Sequence, residues 1–202
     1  MKNKTDSKEK VLKVASMLFQ TKGYNATGLN EILKESGTPK GSLYYYFPNG
    51  KEELALEAIK LASESIKANL RIVLAKYSNP IEAFQTIIMN IMEDLKIESK
   101  LKGFSISLIA LETYLSSETL RQACSDSFSD IQTMYIEKLI QSGFQKEIAR
   151  SLGIFIQIII EGAITISVTQ KSDEIFLTVS NQIKVLLDPY LNDKHYIKKI
   201  IF

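Results

Sequence analysis

The chain has 202 residues, of which 45% are hydrophobic and 24% are charged, which allows one domain or a small domain joined to a larger one. This composition excludes a disordered chain, and 9 Gly and 4 Pro are too few for a collagen-like protein. The net charge of +2 excludes a polycation, yet residues 1–50 contain eight Lys and only four acidic residues. This uneven distribution is compatible with a polyanion that contacts the N-terminal segment, and equally with chance.

Helical periodicity over long segments, with few alternating β-branched stretches, predicts an all-α chain of about nine helices. The first three helices are predicted from Asp6 or Ser7 to Gly23, from Thr27 to Gly37, and from Thr38 to Phe47. Six further helices are predicted at residues 51–76, 79–96, 104–113, 117–140, 145–169 and 173–188. The predicted N-caps are Thr27, Thr38 and Asn79. The first helix is expected to bury Val11, Ala15, Leu18 and Phe19.

The second and third helices are short and are joined by the tight turn Ser36-Gly37-Thr38-Pro39. Together with the longer first helix, which is expected to pack against them, they have the arrangement of a helix-turn-helix DNA-binding motif. We therefore predict a helix-turn-helix DNA-binding domain at residues 1–50. Residues 51–202 are predicted to form a second domain, a bundle of about six helices.

The third helix is predicted to be amphipathic. Leu43, Tyr46 and Phe47 form one apolar stripe that packs on the first two helices. The opposite face has small, hydroxyl, aromatic and basic side chains, which suit the phosphates and base edges of DNA. The alternative, in which all three adjacent tyrosines are core residues, conflicts with the roughly 200° that they span. With flanking residues included, the predicted DNA-binding set is Thr27, Thr38, Lys40, Gly41, Ser42, Tyr44, Tyr45 and Lys51.

The helix predicted at residues 145–169 is apolar nearly all round, so one face suits its own core and another requires a second partner. The next helix, at residues 173–188, has an apolar stripe at coiled-coil-like spacing. Two such helices from each of two chains form a four-helix interface, which predicts a homodimer. The predicted interface residues are Gly153, Ile156, Gly162, Phe176, Val179, Ile183 and Leu186. The alternative is a monomer with an unusually apolar central helix.

The second domain has more apolar and aromatic side chains than a thin bundle needs, which predicts an internal pocket for a small hydrophobic effector. The predicted lining consists of Phe84, Phe104, Tyr114, Phe128, Met134, Phe155 and Glu161. Glu161 belongs to a polar line with Gln157 and Thr165, and it either recognises the effector or is hydrogen-bonded for structural reasons. The alternative for the whole region is a well-packed core without a cavity.

Three segments closely resemble the DNA-binding domain of the TetR family of bacterial repressors. They are Gly23-Tyr24-Asn25-Ala26-Thr27, Ile32-Leu33-Lys34-Glu35-Ser36-Gly37 and Lys40-Gly41-Ser42-Leu43-Tyr44-Tyr45-Tyr46-Phe47, and the resemblance covers about residues 8–56. It implies a homodimer that binds a palindromic double-stranded DNA operator and leaves it when a small molecule enters the C-terminal domain. The residues Lys102-Gly103-Phe104 and Leu111-Glu112-Thr113 are similar to the lincomycin-resistance repressor subgroup of Gram-positive bacteria.

One part of the resemblance is imperfect. The link Pro48-Asn49-Gly50 is one residue longer than the family's usual Phe-x-x-Lys link, which affects the expected placement of Lys51 on a phosphate.

Other function classes find little support in the sequence. The single cysteine, Cys124, and the single histidine, His195, argue against a disulfide and against zinc or di-iron sites. The sequence has no Gly-rich phosphate loop or nucleophile elbow, so we expect no catalytic residues, metal or cofactor. The N-terminus lacks a secretory signal, and the most apolar stretch, residues 152–168, is shorter than the roughly 20 residues that span a bilayer.

These observations predict a cytoplasmic DNA-binding regulator without a membrane segment. The alternative is a helical protein that binds hydrophobic ligands and has no specific DNA binding. The residues of the third helix discriminate between the two, because a protein that had lost DNA binding is expected to have lost the DNA-contacting residues of its recognition helix. In this sequence they are intact.

Overall fold

The computed structural model describes residues 4–98 and 106–192, and within these ranges it contains nine α-helices and no strand. The helices are α1 (Lys4–Lys22), α2 (Leu29–Ser36), α3 (Lys40–Tyr46), α4 (Lys51–Lys76), α5 (Pro80–Glu98), α6 (Ser107–Thr113), α7 (Glu118–Gln141), α8 (Lys146–Gln170) and α9 (Glu174–Asn192). The all-α prediction is confirmed, and the helix boundaries agree with prediction to within a few residues. Phe104 and His195 lie outside the described residues.

A glycine ends α2 and an asparagine caps the start of α5, as the sequence predicts. Gly37 follows α2 with a φ of +62°, and its N–H donates to the carbonyl oxygens of Leu33 and Lys34. At the start of α5, Asn79 Oδ1 accepts a hydrogen bond of 2.9 Å from the N–H of Ile81. The predicted caps Thr27 and Thr38 are wrong by one residue, because Gly28 and Pro39 occupy the N-cap positions.

The chain divides into two compact units. The first consists of residues 1–67 and 100–128, and the second of residues 68–99 and 129–202. The first unit therefore combines the predicted DNA-binding segment with the beginning of α4, with α6 and with the beginning of α7. The functional division at residue 50 stays a prediction.

The first unit has a continuous apolar core to which helices α1, α2, α3, α4, α6 and α7 contribute. The core residues of α1 are Val11, Ala15, Leu18 and Phe19, all buried as predicted. Helix α1 packs against α2, α3 and α6. Cys124 is buried in this core, and burial raises the pKa of its thiol to about 11, so the thiol stays protonated at neutral pH.

In the second unit, α9 packs against α5 and α8. Phe84 of α5 lies edge-on to Tyr135 of α7, with ring centroids 5.3 Å apart. Gly153 of α8 packs tightly against Ile136 of α7: a Cβ on Gly153 would lie 3.1 Å from the backbone nitrogen of Ile136.

Helix α8 is long and apolar enough to cross a membrane by length and composition alone. Within the protein, 44% of its most apolar window is buried.

Candidate nucleic-acid interface

Helix α3 has one buried face and one exposed face. Leu43 and Phe47 are fully buried in the core of the first unit, and Tyr46 packs partly against that core. Tyr45 is 69% exposed and Tyr44 is 44% exposed. The burial pattern therefore agrees with the facing predicted from helical spacing, in which Tyr46 is turned inward and Tyr45 outward.

The first turn of α3 is also open to solvent. Lys40 and Gly41 are exposed, and Ser42 is half-buried. A Cβ on Gly41 would meet no atom within 4 Å, so the fold itself does not require glycine there. A glycine on an exposed helix face leaves the backbone accessible to close approach by another molecule.

The two threonines of the predicted DNA-binding set are buried. The hydroxyl of Thr27 donates to the carbonyl oxygen of Gly23 at 2.7 Å, so it ties the turn between α1 and α2. The hydroxyl of Thr38 lies 3.4 Å from the carbonyl oxygen of Ser36. The structure therefore does not bring these hydroxyls onto the exposed face with Tyr45.

Lys51 is the first residue of α4 and lies next to Tyr24. Its Nζ atom is 4.4 Å from the centre of the Tyr24 ring, a cation–π contact. Burial lowers the pKa of Lys51, and the negative charge of Glu112 opposes this decrease. The longer link before α4 is ordered, because Gly50 N–H donates to Phe47 O at 2.9 Å.

The predicted effector residues fall into both compact units. Tyr114 is exposed and Phe128 is half-buried against the core of the first unit. Phe84, Met134, Phe155 and Glu161 belong to the second unit, in which Phe84 is fully buried and Phe155 is exposed. Phe155 thus faces away from the core of its own unit. Phe104 is outside the described residues.

Two further residues of the second unit have the chemistry of a ligand site. Tyr135 is fully buried beside Phe84, and burial together with the charge of Glu161 raises the pKa of its hydroxyl. Gln157, one helical turn before Glu161, is only 5% exposed, and neither polar atom of its amide has a hydrogen-bond partner in the described part of the chain. The polar line on α8 pointed to Gln157, but only the structure shows that its amide is unpaired.

The predicted dimer residues are placed differently from expectation. Ile156, Phe176 and Ile183 are buried in the chain's own core, and Gly153 packs on α7, so these four do not form an outer face. Val179 and Leu186 are half-buried and line an open groove between α8 and α9. The exposed apolar side chains of the two helices are Phe155, Ile158, Ile166, Val168, Leu177 and Val185. Gly162 lies on α8 with open space around it.

Comparison with known proteins places this geometry in a family. Residues 11–58 match the family of bacterial regulatory proteins known as the tetR family, and residues 80–182 match the LmrA/YxaF-like transcriptional regulator C-terminal domain. The chain is 43% identical over 187 residues to the uncharacterized HTH-type transcriptional regulator YxaF of Bacillus subtilis, covering 93% of this chain and 98% of YxaF. The chain belongs to the TetR family.

The HTH-type transcriptional regulator LmrA of Bacillus subtilis is 40% identical over 182 residues, covering 90% of this chain and 97% of LmrA. Both relatives support the LmrA-like subgroup that the sequence resemblance indicated. The crystal structure of reduced NemR from E. coli has the same fold, with a TM-score of 0.80 at 19% identity, covering 89% of this chain and 96% of NemR. The family models and the two Bacillus relatives show that this TetR-family protein is a helix-turn-helix transcriptional regulator.

Proposed function

We propose that this regulator is a homodimeric repressor that binds a palindromic operator through the exposed face of α3 and is released by a small hydrophobic molecule. The exposed tyrosine pair Tyr44 and Tyr45, beside Lys40 and Gly41, is the observation that supports direct contact with DNA. Such a face offers hydroxyls, ring surfaces and a positive charge next to an accessible backbone. We also propose that the protein acts in the cytoplasm and is not an enzyme.

Selection of bound fragments from random duplex DNA tests this function. The purified protein is expected to recover a two-fold symmetric sequence. If each head reads one major groove on the same face of the duplex, half-sites lie about 34–36 Å apart or at a multiple of that distance. Recovery of no preferred sequence would favour the alternative, a ligand-binding helical protein without specific DNA binding.

Tyr45→Ala and Tyr46→Ala are expected to affect different properties: the first operator binding, the second the stability of the fold. Tyr45→Ala removes an exposed ring that lies edge-on to the Tyr46 ring, with centroids 5.0 Å apart. It should weaken operator binding by roughly 1–3 kcal/mol and change the free energy of unfolding by about 1 kcal/mol or less. Tyr46→Ala removes a ring packed on the core and should destabilise the protein by about 2 kcal/mol. Thermal melting and operator titration of both variants measure the two quantities, and the reverse order would show that the facing is wrong.

Lys40→Ala is expected to weaken binding to all DNA sequences alike, because a lysine at the start of α3 is placed to contact phosphate. The slope of log affinity against log salt should fall by about 1. Lys13→Ala is the matched control, since Lys13 is an exposed lysine of α1 outside the proposed face. An equal change of slope in both variants would indicate only a general effect of net charge.

For the effector, the second unit offers apolar and aromatic side chains together with the unpaired amide of Gln157. This combination favours a mostly hydrophobic, planar aromatic compound with a polar group. Titration of hydrophobic aromatic compounds against the operator complex tests release. A hundredfold loss of operator affinity requires the compound to prefer the DNA-free form by about 2.7 kcal/mol. Compounds that bind the protein and never weaken operator binding would contradict ligand-controlled release.

Gln157→Leu is expected to increase the free energy of unfolding by about 1–2 kcal/mol, because it removes a buried amide whose polar atoms lack partners. The same substitution at the exposed Gln141 is the control for added hydrophobicity. Urea unfolding without ligand measures both. A loss of stability in Gln157→Leu would show that the amide is satisfied in the folded protein, and this residue would then be unsuited to hold an effector.

A further inference from the structure

Glu112, near the end of α6, reaches the turn between α1 and α2. Its carboxylate oxygen Oε2 accepts a hydrogen bond of 3.0 Å from the backbone N–H of Asn25. The two residues are 87 positions apart in sequence, and both belong to the first compact unit. An N–H in an exposed turn can bond to water instead of to the protein. Here a charged carboxylate accepts the bond, and this charge-assisted hydrogen bond holds the turn in one geometry.

Gly23 makes room for this carboxylate. A Cβ on Gly23 would lie 2.6 Å from Glu112 Oε2, closer than real Cβ atoms approach a neighbour. Gly23 also has a φ of +88°, which favours glycine for its own sake. Gly143 has a similar φ of +93°, but a Cβ there would meet no atom within 4 Å. The close approach at Gly23 therefore comes from Glu112 and not from the turn conformation.

The turn that Glu112 holds also contacts Lys51, at the start of α4. The Lys51 ammonium lies over the Tyr24 ring, and Tyr24 is a neighbour of both Gly23 and Asn25 in the turn. The charge of Glu112 stabilises the protonated form of Lys51, which burial alone disfavours by lowering its pKa. Glu112 is thus linked to the turn that precedes α2 and to the lysine that begins α4.

We propose that Glu112 is a positioning residue for DNA binding, whose carboxylate holds the turn at residues 23–25 and the Lys51 side chain in fixed places relative to each other. The proposal rests on the proposed function, together with the sequence prediction that Lys51 contacts an operator phosphate. A lysine that is already ordered loses less conformational freedom when DNA binds, so the contact becomes stronger. In this proposal Glu112 acts indirectly, because a carboxylate repels phosphate.

The test compares Glu112 variants on the operator recovered from random DNA and on an unrelated duplex. Glu112→Ala is expected to weaken binding to both duplexes about tenfold, equivalent to 1.4 kcal/mol, because a phosphate contact does not depend on sequence. Glu112→Gln keeps an acceptor for the Asn25 N–H but removes the charge near Lys51, so it should recover only part of that loss. Glu118→Ala removes an exposed carboxylate from the same compact unit and controls for net charge.

A double-mutant cycle with Lys51→Ala separates positioning from simple support of the fold. If Glu112 acts partly through Lys51, Glu112→Ala should cost about threefold or less in the Lys51→Ala background instead of about tenfold. A residue that only supports the fold gives the same loss in both backgrounds. Melting temperatures of all variants accompany the titrations.

Gly23→Ala and Gly143→Ala form a second matched pair. Both strain a backbone of similar φ, but only Gly23→Ala displaces Glu112. Operator affinity should fall about tenfold in Gly23→Ala and stay close to wild type in Gly143→Ala.

Unchanged operator affinity in Glu112→Ala would overturn the proposal, and so would equal losses with and without Lys51. In either case the operator recovered by the wild-type protein leaves the proposed function intact. If the wild-type protein recovers no sequence, the proposed function fails, and the positioning role fails with it.

Discussion

Phe47→Ala is expected to lower the free energy of unfolding by about 3–5 kcal/mol, a large share of the stability of a domain of this size. Phe47 is the C-cap of α3 and is fully buried in the core of the first compact unit. Removing the ring leaves a cavity among residues of several helices, which the core cannot fully close. Urea unfolding followed by circular dichroism measures the loss.

Phe47→Leu keeps most of the apolar volume and is the control for Phe47→Ala, with an expected loss of about 1.5 kcal/mol or less. Operator binding should decrease in Phe47→Ala together with the folded fraction. If Phe47→Ala lost less than about 1 kcal/mol, α3 would not be anchored to the core as the structure indicates.

Ile158→Asp is expected to weaken dimerisation about a thousandfold, equivalent to about 4 kcal/mol. Ile158 is 60% exposed on α8, and Val185 is 64% exposed on α9, so both leave apolar surface uncovered in the single chain. Large apolar side chains exposed on two packed helices favour a second copy of the chain as their partner. An aspartate there places an unpaired charge in the proposed interface.

Sedimentation at micromolar concentration measures the change: the wild-type protein should have about twice the chain mass of 22.8 kDa, and Ile158→Asp should have the chain mass. Ile140→Asp is the matched control, because Ile140 is an exposed isoleucine of α7 outside the α8 and α9 face. A wild-type monomer would remove the basis for two-fold operator recognition. A dimeric Ile158→Asp would place the interface elsewhere.

The helices were predictable because their signals are local. Gly23 and Gly37 end α1 and α2 with positive φ angles, and Asn79 caps α5 through its side chain. The facing of α3 was predictable for a related reason: a short helix with one apolar stripe has a single rotation that buries Leu43 and Phe47.

The rotation of α8 was not predictable from the sequence. Apolar side chains surround this helix, so no polar face fixes which side packs on its own chain. The sequence predicts Phe155 in an internal pocket and Ile156 in the dimer interface. In the single chain Phe155 is exposed at the open groove between α8 and α9, and Ile156 is buried. Contacts with α7 and α9 decide the rotation, and such contacts leave no local pattern.

Side-chain pairings across the chain were also beyond local reasoning. The sequence predicts that the Thr27 hydroxyl contacts DNA, but in the structure it donates a hydrogen bond to the carbonyl oxygen of Gly23. The contact between Glu112 and Asn25 joins two segments far apart in sequence. Only the tertiary structure brings these groups together.

The open surroundings of Gly41, Tyr44 and Tyr45 have a consequence for the evolution of the family. Substitutions at these positions change no fully buried side chain, while Leu43 and Phe47 on the same helix hold it in the core. Since we propose that this face reads the operator, operator preference and fold stability are separable under selection. A duplicated gene can acquire a new target sequence through a few changes on one helix face, without the compensating core mutations that a change of fold stability demands.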